Sequence, residues 1–431
     1  MKRTVSIATL GCKTNQFESA AMEERLRDAG YQIIPFEEGA ELVVVNTCTV
    51  TTSTDSQSRN LIRRARRLNL DCRVIVTGCY AQIDPEAIRA IPGVAMVIGN
   101  DEKKDLLRYL AEEQEDQLIA VGNPSTGRGT SPLSLSTFTE RSRAFVQIQN
   151  GCDAFCSYCI IPYARGSSRS LEVDEVLRQV RKLADHGFPE VVLTGIHMGA
   201  YGQDLQPKSN LLELVRLIEA DIELPRLRLG SIEPTEIPDQ LIDLMACSDR
   251  LCPHLHIPLQ AGDNNVLQRM NRHYGVQFFH ELIMRIHDKL PEAAIGLDVI
   301  AGFPGETETE FEHTCRLIES LPVSHLHVFP FSRRPGTPAA DMAGQLSGDL
   351  IKERCSILRS LGEEKNRQFA EKFIGRVLEV VVEGGEKGGL GRGLARNYLN
   401  VYFPGGSKLQ GKRAWVNVKS WSPAGLKGTL L

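Results

Sequence analysis

The chain has 431 residues, of which 42% are hydrophobic and 24% charged, with a formal net charge of −4. At roughly 100–200 residues per domain this length suggests several domains, and the mix suits globular cores. No stretch reaches the ~18 apolar residues that a membrane span needs. The short apolar run Val5–Leu10 is interrupted by Ser6 and Thr9 and followed by polar Lys13-Thr14-Asn15, too weak for a secretion signal, so a cytoplasmic protein is expected.

The first hundred residues alternate apolar strands (Val5–Leu10, Leu42–Asn46, Arg73–Thr77, Ala95–Ile98) with amphipathic helices (Glu18–Ala29, Ser53–Leu68, Pro85–Ala90). That alternation predicts a parallel α/β sheet with crossover helices, assigned to residues 1–110. Residues 111–140 carry a charge run and then a Ser/Thr/Gly/Pro-rich stretch, and read as a linker.

A second alternation follows over 141–346. Strands fit Ala144–Gln149, Glu190–Thr194, Arg226–Gly230, His254–Ile257, Ile295–Ile300 and His325–Phe329. Helices fit Glu172–His186, Asn210–Ala220, Asp239–Ala246, Gln277–Leu290 and Glu308–Ser320. Such an array is too short for a closed eightfold barrel and predicts an open, partial (βα)6 barrel. A helix within Ser347–Phe373, placed as a connector over 347–371, leads to residues 372–431. There Val377–Val382, Asn397–Phe403 and Ala414–Val418 alternate with Gly-rich turns, as in a small five-stranded β-barrel.

Eleven cysteines in a chain expected to be cytoplasmic argue against disulfides and, where clustered, for metal binding. Cys152, Cys156 and Cys159 lie within eight residues just after a predicted strand. Thiolates select iron–sulfur clusters or zinc. A structural zinc site and a ferredoxin cluster both take four ligands, so three local cysteines leave one iron of a cubane open. Cys12, Cys48 and Cys79 are distant in sequence, but each follows a predicted strand by one or two residues. Carboxyl ends of parallel strands share one edge, so these three are expected to converge there. Cys72, Cys247, Cys252, Cys315 and Cys355 read as small buried hydrophobes.

From Lys372 to Leu431 ten Lys/Arg oppose three Glu, a balance of +7 that leaves −11 for the rest and points to a polyanion partner. Arg376, Arg392, Arg396, Lys412 and Arg413 are its candidate RNA contacts. Arg141, Arg143, Arg165 and Arg169 flank the cysteine loop and are candidate guides for phosphates. His254 and His256 alternate on a strand and read as a polar barrel rim rather than as metal ligands.

The segments GCKTNQFES, VVNTCTVT, VTGCYAQ, QNGCDAFCSYCIIPYARGSSRS, DVIAGFPGET and FPFSRRPGTPAA together resemble the radical-SAM methylthiotransferases over nearly the whole chain. The basic tail is similar to the RNA-binding TRAM domain. The wording GCKTNQ and CSYCIIPYARG looks most like the branch acting on threonylcarbamoyladenosine in tRNA. Other branches act on isopentenyladenosine in tRNA or on an aspartate of a ribosomal protein. The sequence departs from the family at Gln260-Ala261-Gly262, where the family usually has Ser in the middle.

The resemblance implies two [4Fe–4S] clusters and S-adenosylmethionine (SAM), with one cluster cleaving SAM to a 5′-deoxyadenosyl radical and the other carrying the sulfur to be methylated and transferred. It implies SAM contacts at Thr194 and Gly195, at Ser231 and Glu233, and at Asp298 and Gly302, with no catalytic residue beyond the cluster ligands. The expected partners are tRNA, an external electron donor of flavodoxin or ferredoxin type and a sulfur donor the sequence does not identify, with no membrane. The competing readings are a non-enzymatic iron–sulfur RNA-binding or redox-sensing module and a zinc protein.

Overall fold

The computed structural model describes residues 3–112, 118–124, 142–385 and 389–431. Contacts divide the chain into two units. One comprises Met1–Thr137, Gln149–Leu171 and Ser332–Ala340; the other comprises Phe138–Ile148, Glu172–Phe331 and Asp341–Leu431.

The first unit is built on six strands: β1 (Thr4–Thr9), β2 (Gln32–Ile33), β3 (Leu42–Thr47), β4 (Arg73–Gly78), β5 (Val94–Ile98) and β6 (Leu118–Ala120). All neighbours pair parallel, in the order β2-β1-β3-β4-β5-β6. β3 is buried along its whole length, and its side chains alternate between two cores. Val43 and Val45 pack with Ile62 and Ala65 of the helix Thr52–Leu68. Leu42 and Val44 pack with Met22 and Leu26 of the helix Lys13–Asp28. A strand covered by helices on both faces reads as a continuous apolar run, which is why LVVV carries no polar alternation.

Two differences from the sequence reading bear on the site. Leu118–Ala120, inside the stretch read as linker, is the edge strand β6, too short for a periodic signal. The helix expected from Glu18 begins at Lys13, because the polar turn KTNQ is held by hydrogen bonds rather than by apolar periodicity. Asn15 and Glu18 are therefore helical and buried.

Strand β7 (Ala144–Asn150) enters the cysteine loop, and its last two residues pair with β8 (Arg169–Ser170), which closes that loop. In the second unit β9 (Val191–Gly195) lies between β7 and β10 (Leu227–Leu229), while β12 (Ala294–Ala301) lies between β11 (His254–His256) and β13 (His325–Pro330). Among the described residues, isolated parallel bridges, Leu227↔Leu251 and Ser231↔His256, join the two groups. The array is thus an open (βα)6 arc. Two of its helices start on side-chain caps: Asn210 accepts from the Glu213 N–H at 3.0 Å, and Thr307 with Glu310 forms a capping box.

Beyond the helix Gly348–Glu371, strands β14 (Val377–Gly385), β15 (Leu390–Ala395), β16 (Asn400–Pro404), β17 (Arg413–Ser422) and β18 (Gly425–Leu430) close into a barrel in the order β14-β15-β16-β18-β17. Val380, Val382, Val401, Phe403, Val416 and Leu426 fill it. β15 was not legible as a strand because of its glycines. A Cβ on Gly391 would sit 2.4 Å from the Gly406 Cα, so closure there requires glycine.

Candidate metal centres

Both cysteine triplets lie in the first unit. Cys12 caps the helix Lys13–Asp28, Cys48 follows β3, and Cys79 opens a short helix directly after β4. The edge is packed too tightly for Cβ atoms beside the cysteines. Gly11 has φ +102°, and a Cβ there would lie 2.9 Å from Cys48 Sγ; Gly78 has φ +96°, and its Cβ would lie 2.3 Å from the Thr47 carbonyl. Both positions need glycine for backbone conformation as well as for space. Burial, with Cys79 and Cys12 nearby, pushes the Cys48 thiol up to about 12. A thiol so placed gives up its proton when a metal takes it.

Cys152, Cys156 and Cys159 sit on a loop folded on itself. The Cys152 N–H donates to the Gly166 carbonyl at 3.0 Å, the Cys159 N–H to the Cys156 carbonyl at 2.9 Å, and the Ala339 N–H to the Ser157 carbonyl at 2.8 Å. The Ala154 N–H points at Cys152 Sγ from 3.5 Å, the kind of donor that tunes a cluster sulfur. Gly151, at φ +75°, has no room for a Cβ, which would fall 2.0 Å from the Ser167 carbonyl. Phe155 (φ +45°) is about half exposed and meets Tyr163 edge-to-face at 6.0 Å.

The loop is tied to the cysteine-bearing edge by buried polar groups, of which the sequence reading singled out only Arg165, and that in another role. Arg165 is fully buried, donating to Glu18 at 2.7 Å, to Asn15 Oδ1 at 2.6 Å and to Asn150 Oδ1 at 2.9 Å. Lys103 donates to the same Glu18 at 2.6 Å. Burial alone would raise the Glu18 carboxyl, but Arg165 and Lys103 override it and hold it at about 2. Burial opposes the charge on Arg165, yet Cys79 and Glu18 keep it strongly protonated. Asn15 also donates to the carbonyls of Leu10 and Thr47, and Asn100 donates to the Ala164 carbonyl at 2.7 Å beside Cys79. The faint sequence signal was the i, i+3 spacing of Asn15 and Glu18 on the helix that Cys12 starts.

Of the arginines expected to guide phosphates, Arg165 is placed differently from expectation. Arg165 is an internal cation, inaccessible to RNA because Glu18 and Asn15 enclose it. Arg169 pairs with Asp101 at 3.1 Å. Arg143 pairs with Glu383 and with Glu190, a fully buried carboxylate that Arg226 and Arg228 also hold. Arg141 lies outside the described residues. In the tail Arg396 donates to the Leu251 carbonyl and Arg392 pairs with Glu383. Arg376, Lys412 and Arg413 are exposed, although Arg376 meets Glu292 and Arg413 meets Glu379.

The residues expected to contact SAM all lie in the second unit, at or near the carboxyl ends of β9, β10 and β12. Thr194 is buried with Gly195 after it, and Ser231 is exposed. Glu233 pairs with Arg272. Gly302 has φ +81°, and its N–H donates to Glu306 at 2.9 Å. Asp298 accepts from His256 at 2.8 Å, and His327 stands 3.3 Å away. Burial would raise its carboxyl, but these imidazoles hold it well below the usual range. No described helix is long and apolar enough to cross a membrane.

The donor chemistry fits iron–sulfur clusters: two sets of three thiols, each with backbone brought close by glycine, and a buried cation beside the strand-end set. Comparison with known proteins agrees. Residues 4–99 match the Uncharacterized protein family UPF0004, and residues 146–318 match the Radical SAM superfamily. The chain is 41% identical over 96% of its length to the threonylcarbamoyladenosine tRNA methylthiotransferase MtaB of Bacillus subtilis, covering 93% of that protein. To the tRNA-2-methylthio-N(6)-dimethylallyladenosine synthase of Desulfitobacterium hafniense it is 33% identical over 98% of its length, covering 96% of that protein. The radical S-adenosylmethionine methyltransferase TsrM of Kitasatospora setae shares the fold, with a TM-score of 0.57 at 18% identity over 79% of this chain and 77% of that one. The chain belongs to the radical-SAM methylthiotransferase family, in the branch of the threonylcarbamoyladenosine tRNA methylthiotransferases.

Proposed function

We propose that this protein methylthiolates C2 of threonylcarbamoyladenosine at the adenosine 3′ of the tRNA anticodon, acting in the cytoplasm with electrons from a flavodoxin- or ferredoxin-type donor. The observation that carries the chemistry is the presence of two separate cysteine triplets in one unit, each with three thiols rather than four. Cys152, Cys156 and Cys159 would hold one [4Fe–4S] cluster, and Cys12, Cys48 and Cys79 the other. When bound, the clusters and SAM supply reductive cleavage of the sulfonium, a radical and the sulfur that is transferred.

The protein's own groups position and insulate that chemistry. The Ala154 N–H orients toward Cys152 Sγ. Arg165 places fixed positive charge beside thiolates in a buried setting, where such an interaction is far stronger than in water. Thr194, Gly195, Ser231, Glu233, Asp298 and Gly302 line the carboxyl edge of the open arc, where ligands of parallel α/β arrays bind. The barrel exposes Lys412, Arg413, Lys419 and Lys427, with Trp415 about half exposed and the Arg413 guanidinium 5.9 Å from its ring. Cations interleaved with an exposed aromatic suit a single-stranded RNA loop, whose bases can stack.

The test incubates anaerobically reduced protein, SAM and a sulfide source with two tRNAs, one carrying threonylcarbamoyladenosine and one isopentenyladenosine, followed by mass spectrometry of the nucleosides. A gain of a methylthio group on the first alone is expected. Modification of only the isopentenylated tRNA overturns the substrate, and modification of neither with SAM still cleaved returns the ribosomal-protein substrate.

A further inference from the structure

Strands β11 and β13, on either side of β12, carry four histidines that the proposed chemistry does not use. Their register brings three of them together. His256 pairs with Gly296, and Gly296 with His325, so these residues form one row across the sheet. The middle position has no side chain. A Cβ on Gly296 would lie 2.2 Å from His325 Nε2 and 2.8 Å from His256 Nδ1, so those two nitrogens share the space above the glycine. One ring nitrogen from each of His254, His256 and His325 lies within 4.8 Å of the others. His254 and His256 are almost fully buried, and Tyr398 stacks on His254 at 4.2 Å.

Hydrogen bonding sets the tautomers. Ser324 Oγ donates its proton to the Ile295 carbonyl at 2.9 Å, so at 2.9 Å from His325 Nδ1 it accepts. His325 Nδ1 then carries the hydrogen, and Nε2 of the neutral ring presents a lone pair. His256 Nε2 donates to the Asp298 carboxylate at 2.8 Å, so the Nδ1 of its neutral ring likewise presents a lone pair. Both lone pairs are therefore on the nitrogens that meet over Gly296. A carboxylate or hydroxyl behind the far nitrogen of each ring is the usual outer support of a metal-bound histidine.

We propose that His254, His256 and His325 form a binding site for a divalent transition-metal ion, Zn²⁺ being the best match, with Asp298 and Ser324 as its outer hydrogen-bond partners. Neutral imidazoles suit borderline cations such as Zn²⁺. Three protein ligands leave a fourth position for water or another donor. The ion would bind β11 to β13 across β12, independently of the six cysteines. The histidine spacing alone favoured a polar rim; the third ligand and the empty glycine position come from the register.

The experiment uses the full chain with its clusters, equilibrated with Zn²⁺ and freed of loosely held ion by a mild chelator. Zinc and iron are counted by mass spectrometry, and zinc-edge X-ray absorption identifies the donor atoms. About one zinc per chain with nitrogen and oxygen neighbours is expected, and loss of that zinc at unchanged iron in His256→Gln and His325→Gln. Ser324→Ala removes no ligand and is expected to fold; its zinc affinity falls about 10–100-fold. Thermal melts of each variant confirm folding, and the rise in Tm with Zn²⁺ vanishes where the site is lost. Absence of bound zinc, zinc with sulfur neighbours only, or unchanged affinity in Ser324→Ala and the folded histidine variants overturns the proposal.

Discussion

The two cysteine triplets reach the same count by opposite routes. Cys152, Cys156 and Cys159 lie within eight residues on one loop, and their geometry is held by local backbone hydrogen bonds such as Cys159 N–H to the Cys156 carbonyl. Cys12, Cys48 and Cys79 follow three different strands, and no single loop holds them; Asn15 links the first two by donating to the Leu10 and Thr47 carbonyls. Their common edge depends on β1, β3 and β4 pairing in register, with Val5 opposite Leu42 and Val45 opposite Val76. A centre made by one loop fails only if that loop fails, whereas a centre made by a sheet edge inherits every weakness of the sheet.

The largest test of this difference removes each triplet. Changing Cys152, Cys156 and Cys159 together to Ala should remove about half the iron of a two-cluster protein and abolish reductive SAM cleavage, read by chromatography of 5′-deoxyadenosine. Changing Cys12, Cys48 and Cys79 together should also remove about half the iron, yet leave SAM cleavage measurable while methylthiolation disappears. Full iron retention in the second variant would mean that the strand-end thiols hold no cluster.

The two routes also differ in how legible they were. The loop triplet was evident from spacing, and the strand-end triplet from three strand-then-cysteine repeats, because parallel topology turns that repeat into proximity. Most strands and helices were foreseen within a few residues, since their apolar periodicity is strong. What escaped was what lacks periodicity: two-residue β2 and β8, three-residue β6 and glycine-bearing β15 and β18. The polar interior escaped for a different reason. Arg165, Glu18, Asn15 and Lys103 have the composition of surface residues, and only long-range pairing reveals that a charge 147 positions from its partner is internal. Arg165 was accordingly expected to face phosphates.

Arg165 is the next largest test, since it links the two routes. Arg165→Met leaves Glu18 partly uncompensated, and breaking a buried ion pair costs about 3–5 kcal/mol. The loss should fall at the low end because Lys103 still reaches Glu18. Urea unfolding of the metal-free chain measures it. The wild type should show a matching acid dependence. The Glu18 carboxyl is depressed from 4.5 to about 2, so its stabilisation is complete above the higher value and is lost as pH falls through that window. Glu18→Gln should flatten this part of the profile. An unchanged slope would mean that the pair contributes no charge-dependent stability.

The smallest effect concerns the single-residue support of the middle strand-end cysteine. After Cys48 the chain turns into the helix Thr52–Leu68, whose start is fixed by Thr51. The Thr51 hydroxyl accepts from the Thr54 N–H at 3.2 Å, and the Thr54 hydroxyl accepts from the Thr51 N–H at 3.1 Å. The Thr54 hydroxyl donates its proton to the Thr51 carbonyl at 2.6 Å and, standing beside Cys48, lowers a thiol that burial raises. The cap thus fixes both the helix start and the surroundings of the sulfur. Thr51→Ala should cost about 1 kcal/mol, the usual worth of an N-cap, measured as a lower urea midpoint at unchanged slope. Thr51→Ser keeps the hydroxyl and should restore most of it. If the strand-end centre depends on its sheet edge as a whole, Thr51→Ala should also leave the rate of cluster loss at the loop triplet nearly unchanged but hasten it at the strand-end triplet, followed as iron release to a chelator in backgrounds holding only one triplet. Equal release from both would show that the edge tolerates a frayed helix start, and that the sheet alone sets the position of Cys48.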